Sequence, residues 1–84
     1  MYRVDIRPQA EKDMQRLPPR IVRQLQEKID LLAENPRPHD SKRVVTLPGL
    51  LRVASGEYRI IYEVDDPTRT VTVKRIRHRR EAYR

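Results

Sequence analysis

The sequence contains no cysteine. That absence removes disulfides, thiolate catalysis and cysteine-ligated zinc together, and leaves a chain suited to the cytoplasm. Trp and Phe are also absent, so four Tyr make up the whole aromatic complement. A platform of several aromatics on which RNA bases stack is therefore not expected. The two histidines, His39 and His78, lie far apart in sequence, so neither a structural metal site nor any other cofactor is expected. No apolar run approaches the roughly 18 residues of a membrane span, and the start MYRVDIRPQA has no apolar signal segment. Neither a membrane-bound nor a secreted protein is expected.

What the chain does have is positive charge. Its 84 residues, read as one domain over 1–84, carry 19 Lys and Arg against 12 Asp and Glu, a formal net charge of +7. Arg dominates, with 15 Arg to 4 Lys. A guanidinium stays charged at every accessible pH and its planar fork matches phosphate, so a polyanion, nucleic acid first, is the expected partner. Hydrophobic residues are only 37%. A core of that size gives modest stability, which a partner covering apolar surface would raise.

Prolines punctuate the chain. Tyr2 to Arg7, YRVDIR, alternates apolar and charged residues, the period of a half-buried strand. After Pro8, Ala10, Met14 and Leu17 fall on one helical face. Pro18-Pro19 ends that helix and opens a second to about Asn35, whose stripe is Ile21, Leu25, Ile29 and Leu32. Lys42 to Leu47 reads as either loop or short strand. Leu51 to Ser55, Tyr58 to Val64 (YRIIYEV) and Thr70 to Arg77 (TVTVKRIR) read as strands, with Gly56-Glu57 and Asp65-Asp66-Pro67-Thr68 as turns. The expected fold is α+β: a small antiparallel sheet with an N-terminal helical hairpin packed on one face, in the order β-α-α-β-β-β.

Lys74 to Arg84 contains six basic residues and one acidic residue, and Arg52 and Arg59 lie on the two preceding strands. Two readings of this charge stand: a cationic cleft on the open sheet face, or a solvated basic tail. The Asp65-Asp66 pair sits in a turn signal, and the carboxylate cluster that two-metal phosphodiester chemistry requires is not evident. A metal-free ribonuclease fits the residues better. There the substrate's own 2′-hydroxyl attacks, Arg forks hold the phosphate, and a His or Tyr moves protons.

The stretches LLRVASGEYRIIYEV (Leu50 to Val64) and VKRIRHRREAYR (Val73 to Arg84) resemble the RelE-type toxins of the RelE/ParE toxin–antitoxin superfamily. The upstream strand, helical hairpin and Leu47-Pro48-Gly49 agree with them as well. The resemblance implies a ribosome-dependent endoribonuclease that cuts mRNA in the A site of the 70S ribosome and is silenced by a cognate antitoxin. It implies a substrate-phosphate contact for Arg59, transition-state stabilisation for Arg79, and nucleotide orientation or proton transfer for Tyr83, with His78 as a further candidate acid or base. Arg52, Lys74, Arg77 and Arg80 are the expected RNA-backbone contacts. Leu50 stands where some such toxins carry a second Lys and Ala54 where many carry Arg, so fewer charges are expected at the site.

Two other functions share these features. A ParE-like toxin would poison DNA gyrase without cutting RNA, although such chains generally lack the terminal His-Arg…Tyr arrangement seen here. A basic nucleic-acid-binding module without activity would keep the charge alone. The +7 charge also suits an acidic antitoxin segment anchored by apolar side chains.

Overall fold

The computed structural model describes residues 1–81. These residues form a five-stranded sheet and two helices, in the order β1 (Arg3–Ile6), α1 (Pro8–Gln15), α2 (Pro19–Glu34), β2 (Lys42–Arg43), β3 (Leu51–Ser55), β4 (Tyr58–Asp65) and β5 (Thr70–His78). The expected α+β class is what is found. Among the described residues no helix is long and apolar enough to cross a membrane.

Both helices start with proline in the first turn, where the missing N–H costs nothing and φ is already helical. Pro36, directly after the Asn35 cap of α2, prevents its continuation. Leu25, Ile29 and Leu32 of α2 and Ala10 and Met14 of α1 are buried, while Ile21 and Val22 lie at the margin of the core. Their partners on the sheet are Val53, Ile60, Tyr62, Val71, Val73 and Ile76. Tyr62 is fully buried, and its hydroxyl donates to the Pro36 carbonyl at 2.7 Å. One phenol thereby fills the core and ties the α2–β2 linker to the sheet.

The strands run β1-β5-β4-β3-β2 across the sheet. β3, β4 and β5 form the expected antiparallel meander, and the two-residue β2 extends it beyond β3. β1 joins parallel to β5, Arg3 opposite Thr70 and Ile6 opposite Val73. That pairing unites the first and last strands, a contact no local pattern specifies. The β3–β4 hairpin closes through Gly56 at φ +59°, a positive φ that a two-residue hairpin requires and Gly adopts without strain.

The β4–β5 ladder contains an irregularity that decides where the charge goes. Tyr62 pairs with Val73 and Ile61 with Arg75, so Lys74 is an extra residue in β5. A bulge of this kind resets the alternation of the strand. Strict alternation from Val71 and Val73 would turn Arg75 and Arg77 into the core. With Lys74 absorbed, Ile76 faces the helices, paired with Ile60, and Arg75 and Arg77 face away.

Asp13 of α1 supports the part of β5 that β1 does not reach. Its Oδ2 accepts the Ile76 N–H at 2.9 Å and the Arg75 Nε at 2.9 Å. Partial burial pushes this carboxyl up. The hydrogen bonds from Arg75 and Ile76, with the Arg75 charge, outweigh that and hold it below its ordinary value. Asp13→Ala leaves a buried strand N–H without an acceptor and should cost about 1–3 kcal/mol. The stabilisation is present above the ordinary carboxylate pKa of about 4 and is lost as pH falls through the lowered folded value. Thermal melts of wild type and Asp13→Ala should therefore differ at pH 7 and converge under acid.

Candidate nucleic-acid interface

The sheet face turned away from the helices carries two rows of side chains set by the ladder register. Lys42, Arg52, Ile61 and Arg75 form one row across β2, β3, β4 and β5. Ala54, Arg59 and Arg77 form the next. Neighbouring strands lie about 4.8 Å apart, so these cations stand close enough for a few phosphates to bridge them. Lys42, Arg52 and Arg59 line a cleft of about 240 Å³, and Ala54, where many relatives are expected to carry Arg, forms part of its wall. An adjoining cleft of about 250 Å³ contains Leu50, Ile61, Lys74, Arg75 and Arg77. Ile61 is only 7% exposed although it faces away from the helices, because the 44–50 loop lies over it. Leu50 is thus an apolar cover at a position where a cation was the family expectation.

Arg79 reaches the same end of the sheet through the β3–β4 turn. Its backbone N–H donates to the Glu57 carbonyl at 2.8 Å, one step beyond β5. Its Nε lies 2.7 Å from Glu57 Oε2. Arg59 Nη1 donates to the Gly56 carbonyl at 3.1 Å and to the Tyr58 carbonyl at 3.0 Å. Both guanidinium groups are thus held by residues 56–58.

The other expected site residues are placed differently. His78 pairs with Tyr58 and shares its sheet face, the helix side, opposite to Arg59 and Arg77. Its ring meets Tyr58 edge-to-face at 5.4 Å between centroids. Nδ1 accepts the Arg80 N–H at 3.2 Å, and Nε2 lies 3.9 Å from Glu57 Oε2. In the neutral ring that geometry assigns the proton to Nε2. His78 is therefore a rim residue, beside the cationic rows and not within them. Lys74 occupies the bulge and pairs with Glu63 at 3.4 Å. Arg77 lies 3.9 Å from Glu81, and Arg80 is exposed in the turn after β5. Tyr83 lies outside the described residues.

Three members of the interface are not singled out by the sequence. Lys42 belongs to a segment that reads equally as loop, Arg75 is brought round by the bulge, and Glu57 looks like an ordinary turn residue. Asp66, by contrast, keeps the expected turn role. It accepts the Tyr2 hydroxyl at 2.6 Å and both Arg37 Nη groups at 3.2 and 3.0 Å, joining β1, the α2–β2 linker and the β4–β5 turn. The Arg37 hydrogen bonds, then the Tyr2 bond, hold its carboxyl below the ordinary value.

The pairs on this face are mostly exposed, and an exposed ion pair is worth about 0–1 kcal/mol. An RNA phosphate can reach the guanidinium donors that such a carboxylate leaves unused. The arrangement suits a polyanion laid across the strands, gripped by Arg52, Arg59, Arg77 and Arg79.

Comparison with known proteins agrees with this architecture. The sequence model of the family described as "ParE toxin of type II toxin-antitoxin system, parDE" matches residues 4–83. The chain belongs to the RelE/ParE toxin family. Among its relatives, toxin RelG of Mycobacterium tuberculosis is 35% identical over 85 residues, covering 99% of this chain and 97% of that one. The putative toxin RelE1 of Methanocaldococcus jannaschii is 30% identical, covering 99% and 96%. The archaeal RelE–RelB complex from Pyrococcus horikoshii superposes with a TM-score of 0.83 at 29% identity, over 95% of this chain and 97% of that one. The RelBE2 toxin–antitoxin complex of M. tuberculosis gives 0.80 at 31% identity, over 92% and 96%. This RelE/ParE chain is accordingly a toxin of a type II toxin–antitoxin system, and the cationic rows lie on the fold that it shares with RelE.

Proposed function

We propose that this toxin is a metal-independent endoribonuclease that cuts mRNA in the A site of the 70S ribosome, in the cytoplasm, and is neutralised by a cognate antitoxin. The observation that carries the reading is the convergence of Arg52, Arg59 and Arg77 on one sheet face with Arg79 held at its end. In the reaction, the 2′-hydroxyl of the nucleotide before the cut attacks the adjacent phosphorus and the 5′-oxygen of the next nucleotide leaves. Arg59 holds the phosphate oxygens. Arg79 stabilises the charge that builds on the phosphorane. Arg52 and Arg77 hold flanking phosphates. His78 at the rim and Tyr83 are the residues to move protons. The antitoxin partner is supported by the +7 charge and by the relatives solved as complexes with RelB.

The test is cleavage of a defined message on programmed ribosomes, read by primer extension. Wild type should cut at the A-site codon, and an equimolar acidic antitoxin should stop it. A second reading has one observation in its favour, the ParE description of the matching family. A gyrase poison would leave the message intact and block supercoiling. Binding to an RNA oligonucleotide should also fall steeply with salt, with log K against log salt sloping by about −0.7 per phosphate neutralised. Four contacts would give a slope near about −3, and a flat response would contradict a phosphate-binding face.

A further inference from the structure

The rows of cations need their guanidinium groups aimed, and arginine is long and loses much rotamer freedom when fixed. The turn at residues 56–58 supplies the aim. Arg59 is folded back onto its own turn by the Gly56 and Tyr58 carbonyls. Arg79 lies beyond the last strand, tied to the turn by a backbone bond to Glu57. Its side chain is 54% exposed, so packing does not fix it. Glu57 fastens it twice, through its carbonyl to the backbone and through Oε2 to Nε. A carboxylate on the Nε edge leaves Nη donors of the same planar group available to a phosphate. The same oxygen stands 3.9 Å from His78 Nε2, so one turn side chain touches or faces two of the residues expected at the reaction centre.

We infer that Glu57 is a positioning residue of the toxin: it holds the Arg79 guanidinium beside Arg59 so that both meet the same scissile phosphate. The inference rests on the endoribonuclease reading and adds to it the device that organises the site. Glu57 acts here as a hydrogen-bond acceptor for Arg79, not as the group that takes the proton from the 2′-hydroxyl. That distinction fixes the outcome of substitution. Glu57→Ala removes the acceptor. Glu57→Gln removes the charge and the basicity but keeps an oxygen of the same reach.

The experiment is single-turnover cleavage on programmed ribosomes across a range of toxin concentrations. Misplacing a catalytic group by about 1 Å costs up to about a hundredfold. Glu57→Ala should therefore lower the limiting rate about tenfold while the half-saturating concentration moves less than about twofold. Glu57→Gln should stay within about threefold of wild type, because the acceptor is retained. Combined with Arg79→Lys, Glu57→Ala should add less than about twofold, the coupling expected of residues acting as one unit. Equal losses in Ala and Gln would overturn the inference in favour of a general base. Faster cutting by both would overturn it in favour of a carboxylate that merely competes with RNA. Unchanged rates in both, with the wild type cutting, would sink the inference alone. A wild type that leaves the message intact would instead overturn the endoribonuclease reading, and the inference with it. Melting temperatures within a few degrees of wild type keep these comparisons clear of unfolding.

Discussion

Arg79→Ala should lower the rate of mRNA cleavage on programmed ribosomes by about 10²–10³-fold, the loss seen when one preorganised donor to a developing oxyanion is removed. Its guanidinium is more than half exposed and pairs with a similarly exposed Glu57, so the fold does not depend on it. The melting temperature should change little. Antitoxin affinity should move by less than about fivefold, because a mostly exposed pair contributes at most about 1 kcal/mol. Arg79→Lys should recover only part of the rate, since an ammonium keeps the charge but not the planar fork. Primer extension and calorimetric titration with antitoxin separate these effects. Cleavage by Arg79→Ala at the wild-type rate would show that the end of β5 is not the reaction centre.

Tyr62→Ala should have the largest effect on stability. The side chain is fully buried in the core cluster that the helices and the sheet share, and deleting a large aromatic from a core costs about 3–5 kcal/mol. For a domain of this length each kcal/mol lowers the melting temperature by about 4–8 °C, so a fall of more than about 12 °C is expected. A domain of 84 residues has a total stability on the order of 4–13 kcal/mol, which leaves Tyr62→Ala near the edge of folding at 37 °C. Tyr62→Phe keeps the ring and loses the hydroxyl with its bond to the Pro36 carbonyl. It should cost about 1–2 kcal/mol and leave cleavage intact below its melting temperature. Similar melts for the two variants would contradict the double role given to this residue.

Much of the architecture is legible in local periodicity. YRIIYEV alternates except at Ile61, and Ile60 and Tyr62 are buried on the face it predicts. Leu25, Ile29 and Leu32 recur at helical spacing and meet them. The prolines before and after α2 set its ends. These features are legible because each depends on residues within a turn or a strand of one another. Two others depend on distant partners. β1 gains its parallel place beside β5 from a pairing across nearly the whole chain. The bulge at Lys74 follows from matching Ile76 to Ile60 and Val73 to Tyr62 at once, a constraint of the complete ladder.

The site follows the same division. Arg52 and Arg59 are expected on neighbouring strands and lie there, because regular strands deliver them, whereas Arg77 joins their face only through the bulge at Lys74. His78 is expected among them, yet the alternation of the last three residues of β5 turns its ring to the helix side with Tyr58. Arg75 arrives in its place, beside Ile61 in the row that also holds Arg52. Leu50 and Ala54 look like missing charges in the sequence. In the fold Leu50 lines the cleft over Ile61 and Ala54 shapes the cleft between Arg52 and Arg59.

The most direct measurement places a photoreactive nucleotide in the A-site codon of ribosome-bound mRNA and crosslinks it to the catalytically disabled Arg79→Ala toxin. Crosslinked peptides should map to β3, β4 and β5, at Arg52, Arg59 and Arg77. Crosslinks confined to α1 and α2 would mean that the RNA meets the opposite side of the protein, and the guanidinium rows would then have no part in cutting it.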